Sequence, residues 1–324
     1  MNAAVFIASM LCAARWMERA LPQAKIPQLT EKIAWFAAHQ EDYDAVFIGS
    51  SQFYHGIDPR QFDREAGGGT RSFNFGLRGM WPAESFFVLR QILAQHPRRL
   101  RWVFIDWMDI DPRIDPKGTT RRMIHWHDTR HTAITLRRIA EMPDPWLEKT
   151  RLAGAHLMLW ARCLVQQGRA VEWFEGRLRK NNYGRPAKTP RWAEQDGWGA
   201  GDAHGIEGSA LAEYSAQLDS IRAAGPRPPM GAALDRALSD LAAEVRAAGA
   251  SPILIASPAA DLRHRFAPPA GIDAWIFNDP ERNPGLFEPG LRFDSYHLNP
   301  TGAAYFTQLL AGRFAESQKP RANK

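Results

Sequence analysis

The sequence predicts an α/β protein, a three-layer α/β/α sandwich with a flavodoxin-like parallel sheet and a helical insertion. Short continuous apolar runs bounded by turn residues are typical of strands buried in a parallel sheet, and here they alternate with helical segments. A middle segment of about 115 residues breaks this alternation and is too long for a loop. The chain has 324 residues, of which 45% are apolar, enough for one large domain or two ordinary ones.

Apolar runs along the chain place the strands of this sheet. The spacing of apolar residues predicts a helix that starts at Pro82, another through Leu234 and Val245, and a last one that starts at Asn299-Pro300. In open α/β sheets, ligands bind at the carboxyl ends of the strands. The predicted strands are Ala45–Ile48, Arg71–Phe75, Trp102–Ile105, Ile253–Ile255 and, as an edge strand, Trp275–Phe277.

The chain divides by composition and proline content. The run Ala3–Ala14 has no charge and precedes Arg15. It is too short to cross a membrane, and no positive charge precedes it as in a signal peptide. A buried first helix, an interfacial anchor and a truncated membrane helix all remain open. The expected parts are an apolar segment and linker (1–29), the α/β domain (30–318) with its insertion at about 112–225, and a basic tail (319–324).

Charge is uneven along the chain. Lys and Arg number 41 against 35 Asp and Glu, a net charge of +6. The stretch Thr120–Arg191 alone holds 15 Lys and Arg against 6 Asp and Glu, together with four tryptophans. Such a segment suits an anionic polymer or a membrane surface, or it forms an Arg-rich solvated helical face with Trp in its core. Only two cysteines occur, Cys12 and Cys163, which excludes a disulfide framework and a Cys-x-x-Cys zinc site.

Two short motifs carry groups that suit nucleophilic catalysis. Gly49-Ser50-Ser51 follows the first predicted strand, and Asp294-Ser295-Tyr296-His297 precedes the last helix. A serine hydroxyl needs a base, and the base needs an orienting acid. Ser51, His297 and Asp294 are therefore candidates for nucleophile, base and orienting acid, although serines and Asp-x-x-His pairs are common.

Three sequence blocks in order resemble the SGNH/GDSL hydrolase superfamily. They are YDAVFIGSSQFYHGIDPRQFD, SFNFGLRGMWPAE and FDSYHLNPTGAAYFT. The resemblance covers about 180 residues and leaves out the middle segment. It implies that Ser51 is the nucleophile, with His297 and Asp294 completing the triad. It also implies that the backbone N–H groups of Ser51 and Gly79 form the oxyanion hole.

One departure from the family pattern concerns the third block. The family has an Asn after the third strand, whereas this chain has Asp106-Trp107-Met108-Asp109 there. Asn74 and Arg78 are candidates to replace that donor. Asp106 and Asp109 either line the pocket or serve as turn and cap residues.

The Gly-Ser-Ser form resembles a branch of envelope-associated polysaccharide esterases and O-acetyltransferases, often with an N-terminal membrane anchor. The expected function is therefore a Ser-dependent ester hydrolase or O-acyltransferase that removes or transfers acetyl groups on a cell-envelope or exported polysaccharide. No cofactor is expected, and a membrane acyl-donor partner fits a transferase. The expected location is the cell envelope, with membrane association through Ala3–Ala14. Two alternatives stay open: a catalytically weak binding or assembly component, and a cytoplasmic esterase for small esters.

Other motifs carry little function. His125-Trp126-His127-Asp128 and His131 are rich in metal-ligating side chains, but their spacing matches no known zinc pattern, so no metal site is expected. Ser50 is expected to be a turn residue rather than a second nucleophile. No Gly-rich phosphate loop occurs, and nothing beyond charge indicates nucleic-acid binding.

Overall fold

The computed structural model describes residues 2–21, 25–113, 120–178, 192–223, 231–259 and 269–319. The chain forms two compact units. The sheet unit contains residues 32–109, 189–230 and 235–324, and the helical unit contains residues 1–31, 110–188 and 231–234.

The sheet unit is built on five parallel strands in the order β2-β1-β3-β4-β5. This is the flavodoxin-like order, and helices flank the sheet, so the predicted three-layer α/β/α fold is confirmed. Strands β1, β2 and β3 are buried along their whole length, as the continuous apolar runs predicted. The strands are β1 (Ala45–Ile48), β2 (Ser72–Asn74), β3 (Trp102–Asp106), β4 (Ser251–Ala256) and β5 (Asp273–Ile276).

Alternate side chains of the strands face two helical layers. Phe47 of β1 stacks on Phe104 of β3 with ring centroids 4.6 Å apart, and Phe314 packs into the same core. This face is covered by α3 (Ser51–Gly56), α4 (Pro59–Glu65), α10 (Ser209–Ala223) and α12 (Pro300–Gln318). Helices α2 (Leu29–His39), α5 (Pro82–Leu93) and α11 (Ala232–Ala247) complete the unit, and Arg90 of α5 pairs with Glu244 of α11 at 2.8 Å.

The helical unit has a small apolar core and well-capped helices. Thr120 and Asp128 accept hydrogen bonds from the first turns of α6 and α7. Arg169 of α9 donates to the carbonyl oxygens of Glu18 and Leu21 at the end of α1. The helices are α1 (Asn2–Ala20), α6 (Arg121–Trp126), α7 (Thr129–Glu141), α8 (Trp146–Leu164) and α9 (Gln167–Leu178). Among the described residues, none of the helices has the length and apolar character needed to cross a membrane.

The predicted insertion at 112–225 is not one unit. Its part up to residue 188 belongs to the helical unit, whereas residues 189–230 belong to the sheet unit. The chain can return to the sheet unit because residues 197 and 199 are glycines, which let the backbone come close. A side chain at Gly197 or Gly199 would collide with Asn74 or Tyr54. Residues 1–31 also belong to the helical unit. The predicted basic tail lies outside the described residues except for Lys319.

Candidate active site

The turn after β1 presents Ser51 at the first position of α3. Gly49 is required there, because any side chain would overlap the Cβ of Asp106. Ser50 caps α3 by accepting from the N–H of Gln52 at 3.2 Å. The hydroxyl and the N–H of Ser50 both donate to one carboxylate oxygen of Asp106, at 2.6 and 3.0 Å. Ser50 is thus a turn residue, and Ser51 beside it is half-buried.

A continuous hydrogen-bonded chain links the three predicted catalytic residues. Ser51 Oγ lies 2.7 Å from Nε2 of His297. Nδ1 of His297 lies 2.8 and 2.9 Å from the two carboxylate oxygens of Asp294. Because a carboxylate accepts and does not donate, the ring proton sits on Nδ1, and Nε2 is free to accept from the serine hydroxyl. This is the arrangement that an activated serine requires.

Asp294 is held ionised. Burial raises the pKa of its carboxyl group, but hydrogen bonds from the His297 ring and from the backbone N–H groups of Tyr296 and His297 outweigh this and leave the pKa below its usual value. Both N–H groups donate at 2.7 Å to the same oxygen. Asp294 therefore fixes both the ring and the loop of His297.

The buried guanidinium of Arg292 supports the loop of residues 294–297. Arg292 is fully buried and donates to the carbonyl oxygens of Pro258, Leu286 and Ser295 at 2.7 to 2.9 Å, and to that of Asp294 at 3.4 Å. Burial lowers the pKa of Arg292. Its planar fork satisfies carbonyls from three segments at once, which fixes the path of the chain through the Asp294–His297 turn.

Two rings lie beside the imidazole of His297. Phe293 lies parallel to the His297 imidazole, with centroids 5.2 Å apart. The buried ring of His55 meets both Phe293 and His297 edge-on at 5.9 Å. Burial lowers the pKa of His55, and the positive charge of the neighbouring Arg78 lowers it further. The imidazole of His297 therefore packs against aromatic rings that are mostly neutral.

The loop after β2 lies beside the turn of residues 49–51. The N–H of Leu77 donates to the carbonyl of Gly49 at 3.1 Å, and Gly79 adopts a φ of +63°, which suits glycine. Within the part of the chain that the structure describes, the N–H groups of Ser51 and Gly79 donate to no acceptor. The two predicted oxyanion-hole donors are thus on adjacent turns.

A buried lysine anchors the same loop. The Lys32 ammonium donates to the carbonyl oxygens of Asn74, Gly76 and Gly197 at 2.6 to 2.9 Å. Burial holds the pKa of Lys32 well below its ordinary value. Three carbonyls match the three N–H groups of an ammonium, so this contact joins the end of β2 to the segment that returns at Gly197.

The prediction that Asn74 replaces the missing oxyanion donor is wrong, and Asp106 takes the second of its two predicted roles, that of a turn residue. Asn74 is fully buried, and its amide hydrogens donate to the carbonyls of Phe53 and Ile57, so none is left for an oxyanion. Asp106 is buried and binds Ser50 and Ser257 instead of lining a pocket. Burial raises the pKa of its carboxyl group to about 6, although the hydrogen bonds from Ser50 oppose this. Both residues hold the turns of the site rather than a ligand.

The other two predicted pocket residues are accessible. Arg78 is exposed, and its Nε–H donates to Nε2 of His55 at 3.1 Å. Nδ1–H of His55 in turn donates to the carbonyl of Gly199 at 2.7 Å. Asp109 is half-exposed beyond the end of β3. Arg78 thus sits at the surface next to Gly79, oriented by a neutral histidine.

A cavity of about 450 Å³ borders the Asp294 turn. Glu207 and Glu213 make no side-chain hydrogen bond or ion pair with the described residues. Carboxylates accept hydroxyl hydrogens strongly, and an aromatic wall suits the apolar face of a ring. The cavity is lined by His204, Gly205, Ile206, Glu207, Ala210, Glu213, Phe293, Asp294 and Ser295.

The histidine-rich motif lies in the helical unit. Nε2 of the buried His127 contacts Nδ1 of the buried His156 at 2.9 Å, and Nδ1 of His131 contacts Asp128 at 2.7 Å. In the described ranges, no three His, Cys, Asp or Glu side chains are grouped as a metal site would need. These histidines thus serve the packing of α6, α7 and α8.

Sequence reasoning missed four residues of the site: Lys32, His55, Phe293 and Arg292. His55 had a local signal, because it stands four residues after Ser51 on the same short helix. Phe293 and Arg292 lie next to the Asp-x-x-His motif, but nothing in their spacing marks them. Lys32 lies in an ordinary amphipathic segment.

A scan against models of known protein families finds no match for this chain. A search of curated proteins also finds no match. Function is therefore inferred from the motifs of this chain and from the geometry of the site.

Proposed function

We propose that the protein is a serine-dependent ester hydrolase or O-acyltransferase that removes or transfers acetyl groups on a cell-envelope or exported polysaccharide. One observation carries the proposal: the hydrogen-bonded chain from Ser51 Oγ through His297 to the ionised Asp294. The three residues come from opposite ends of the chain, 246 positions apart between Ser51 and His297. Sequence proximity cannot produce such an arrangement.

The first half-reaction forms an acyl-enzyme. Ser51 Oγ attacks the ester carbonyl carbon while Nε2 of His297 takes the hydroxyl proton, and Asp294 stabilises the resulting imidazolium. The carbonyl oxygen becomes an oxyanion near the N–H groups of Ser51 and Gly79. His297 then gives its proton to the leaving alcohol oxygen as the ester bond breaks.

The second half-reaction releases the acyl group. Water or a sugar hydroxyl gives its proton to Nε2 of His297 and attacks the carbonyl carbon of the acyl group on Ser51 Oγ. Collapse of the second tetrahedral intermediate returns the proton to Ser51 Oγ. Water as acceptor makes the protein an esterase, and a sugar hydroxyl makes it a transferase.

The cavity beside Asp294 supports a carbohydrate substrate. The carboxylates of Glu207 and Glu213, which pair with none of the described residues, are acceptors for hydroxyl groups, and Phe293 and Ile206 add apolar wall. The resemblance of the Gly-Ser-Ser motif supports an envelope location, where a membrane partner would deliver the acyl donor to a transferase.

Labelling with a fluorophosphonate probe tests the proposal. We expect the wild type to be labelled, and Ser51→Ala and His297→Ala to lose labelling while their circular dichroism is unchanged. Ser239→Ala, an exposed serine of α11, is the control and should be labelled like the wild type. A folded wild type that resists the probe would contradict the proposal and favour a binding or assembly component.

That alternative has one specific observation behind it. The stretch that corresponds to the third block of the SGNH/GDSL pattern, Asp106-Trp107-Met108-Asp109, has no Asn, and its first residue, Asp106, is buried against Ser50. One lost oxyanion donor costs about 10²–10³ in rate. If the probe labels Ser51, incubation with an acetylated oligosaccharide, with and without an unacetylated one, then separates hydrolysis from transfer by the product formed.

A further inference from the structure

Large exposed apolar side chains are concentrated in the helical unit. Among the described residues, eight of the eleven large hydrophobic side chains that are exposed belong to this unit, although the sheet unit is the larger of the two. Isolated exposed apolar side chains are normal, but a concentration of them marks an interaction site. The eight are Val5, Phe6, Trp16, Trp146, Leu147, Leu157, Met158 and Phe174.

Helix α8 shows the pattern most clearly. Trp146, Leu147, Leu157 and Met158 have exposed fractions of 75, 66, 43 and 57%. At 100° per residue, the exposed positions of α8 fall within about 140° of the helix circumference. An ordinary surface helix places charged residues on this side. Here the solvent face is Trp146, Leu147, Thr150, Arg151, Gly154, Leu157, Met158 and Ala161, with Arg151 at its edge.

Arg151 does not break this face. Its guanidinium turns to Glu148 on the same helix, with two contacts of 2.6 and 2.8 Å. The remaining seven positions are uncharged. The rise of 1.5 Å per residue makes the stripe from Trp146 to Ala161 about 22 Å long.

Helix α1 repeats the arrangement. Val5, Phe6, Cys12 and Trp16 are exposed, at spacings that place them on one side of the helix, while Ala14 faces inward. The only charged residue between Val5 and Trp16 is Arg15, which pairs with Glu18 at 2.7 Å. This side of α1 is thus apolar from Val5 to Trp16, and the exposed charges of Glu18 and Arg19 follow in its last turn.

The two units also differ in net charge. The described part of the helical unit holds 14 Lys and Arg against 9 Asp and Glu, a net of +5. The described part of the sheet unit holds 16 against 24, a net of −8. Apolar exposure therefore coincides with positive charge, on a unit that excludes the candidate active site.

From these observations we infer that the helical unit binds the surface of an anionic lipid bilayer through the exposed face of α8, with α1 as a second such helix. A helix with an apolar face on a basic scaffold buries that face at the headgroup boundary, and anionic lipids add attraction for Lys and Arg. Tryptophan at the start of the stripe suits this interface. The described parts of two helical units would each carry a net charge of +5, which opposes pairing of this face with the same face of a second copy.

The proposal adds a docking surface to the candidate enzyme but does not depend on its chemistry. Cosedimentation of the full chain with sucrose-loaded vesicles measures it directly. We expect binding to phosphatidylcholine vesicles that contain phosphatidylglycerol, weaker binding in high salt, and little binding to phosphatidylcholine alone. The double variant L157Q/M158Q should lower the partition coefficient more than tenfold.

L211Q is the matched control, because Leu211 is an exposed leucine on a helix of the sheet unit and should bind vesicles as the wild type does. Circular dichroism checks that the double variant is folded, and a single V5Q variant tests the second helix if it is not. Analytical ultracentrifugation reports the oligomeric state. No vesicle binding, equal binding to both vesicle types, or self-association that L157Q/M158Q abolishes would overturn the proposal.

Discussion

The ring of Phe293 lies parallel to the imidazole of His297, with an interplanar angle of 4° and centroids 5.2 Å apart. Gly201 makes room for this ring, because a side chain there would overlap it. The stack fixes the plane of His297, and the plane decides whether Nε2 faces Ser51. Phe293 is therefore a positioning residue for the proposed base.

Replacing Phe293 by Leu keeps an apolar side chain but removes the flat surface. We expect kcat for a small aryl ester to fall about tenfold, equal to about 1.4 kcal/mol of barrier, with KM nearly unchanged. Tyr305→Leu removes an exposed aromatic ring from α12 and serves as the control. If kcat and KM change to the same extent in both variants, Phe293 has no special relation to His297.

Arg292 provides the second prediction. Arg292→Met leaves carbonyl groups of Pro258, Leu286 and Ser295 buried without donors, so the free energy of unfolding should fall by about 3 kcal/mol. Arg292→Lys keeps the charge but cannot reach all of these oxygens. Its free energy of unfolding should therefore lie between those of the wild type and Arg292→Met. Urea unfolding measures the change. Arg282→Met, at an exposed arginine, should alter stability by less than about 0.5 kcal/mol.

The fold was predictable because its signals are local. Continuous apolar runs of four residues predicted β1 and β3, and Asn299 caps α12 through the N–H of Gly302 as its position before Pro300 indicated. The grouping of Ser51, His297 and Asp294 was expected mainly from the resemblance of three sequence blocks, because serines and Asp-x-x-His pairs alone are common. The predictions that failed concern features that depend on contacts between distant segments.

Lys32 illustrates why the rest could not be predicted. In sequence it is one lysine of an amphipathic helix, and such residues normally face solvent. Its burial is decided by carbonyls 42, 44 and 165 positions away, and by the return of the chain at Gly197. Periodicity carries no information on such contacts. The same holds for the return of residues 189–230 to the sheet unit.

Lys32 also gives a prediction that joins stability to the site. Lys32→Met removes all three donors, so we expect about 2–3 kcal/mol of destabilisation and slower fluorophosphonate labelling, because Gly76 leads into the loop of Gly79. Lys25→Met is the control, as Lys25 is an exposed lysine of the helical unit. Labelling at the wild-type rate in a destabilised variant would show that Lys32 supports the fold but not the oxyanion loop.

The pH dependence of stability tests the buried carboxyl group of Asp106. Burial raises its pKa from 3.8 to about 6, so between these pH values the folded protein holds a proton that the unfolded chain has released. Its contribution to stability is thus full below pH 3.8 and is lost as pH rises through about 6, by at most about 3 kcal/mol. Asp106→Asn cannot titrate.

The difference in unfolding free energy between wild type and Asp106→Asn, measured in urea from pH 4 to 7, should therefore shift against the wild type as pH rises. Subtracting the variant cancels the titration of all other groups. Asp240→Asn, at an exposed position of α11, should show no such trend relative to wild type. A difference that is independent of pH would mean that Asp106 is ionised throughout and that its hydrogen bonds from Ser50 outweigh its burial.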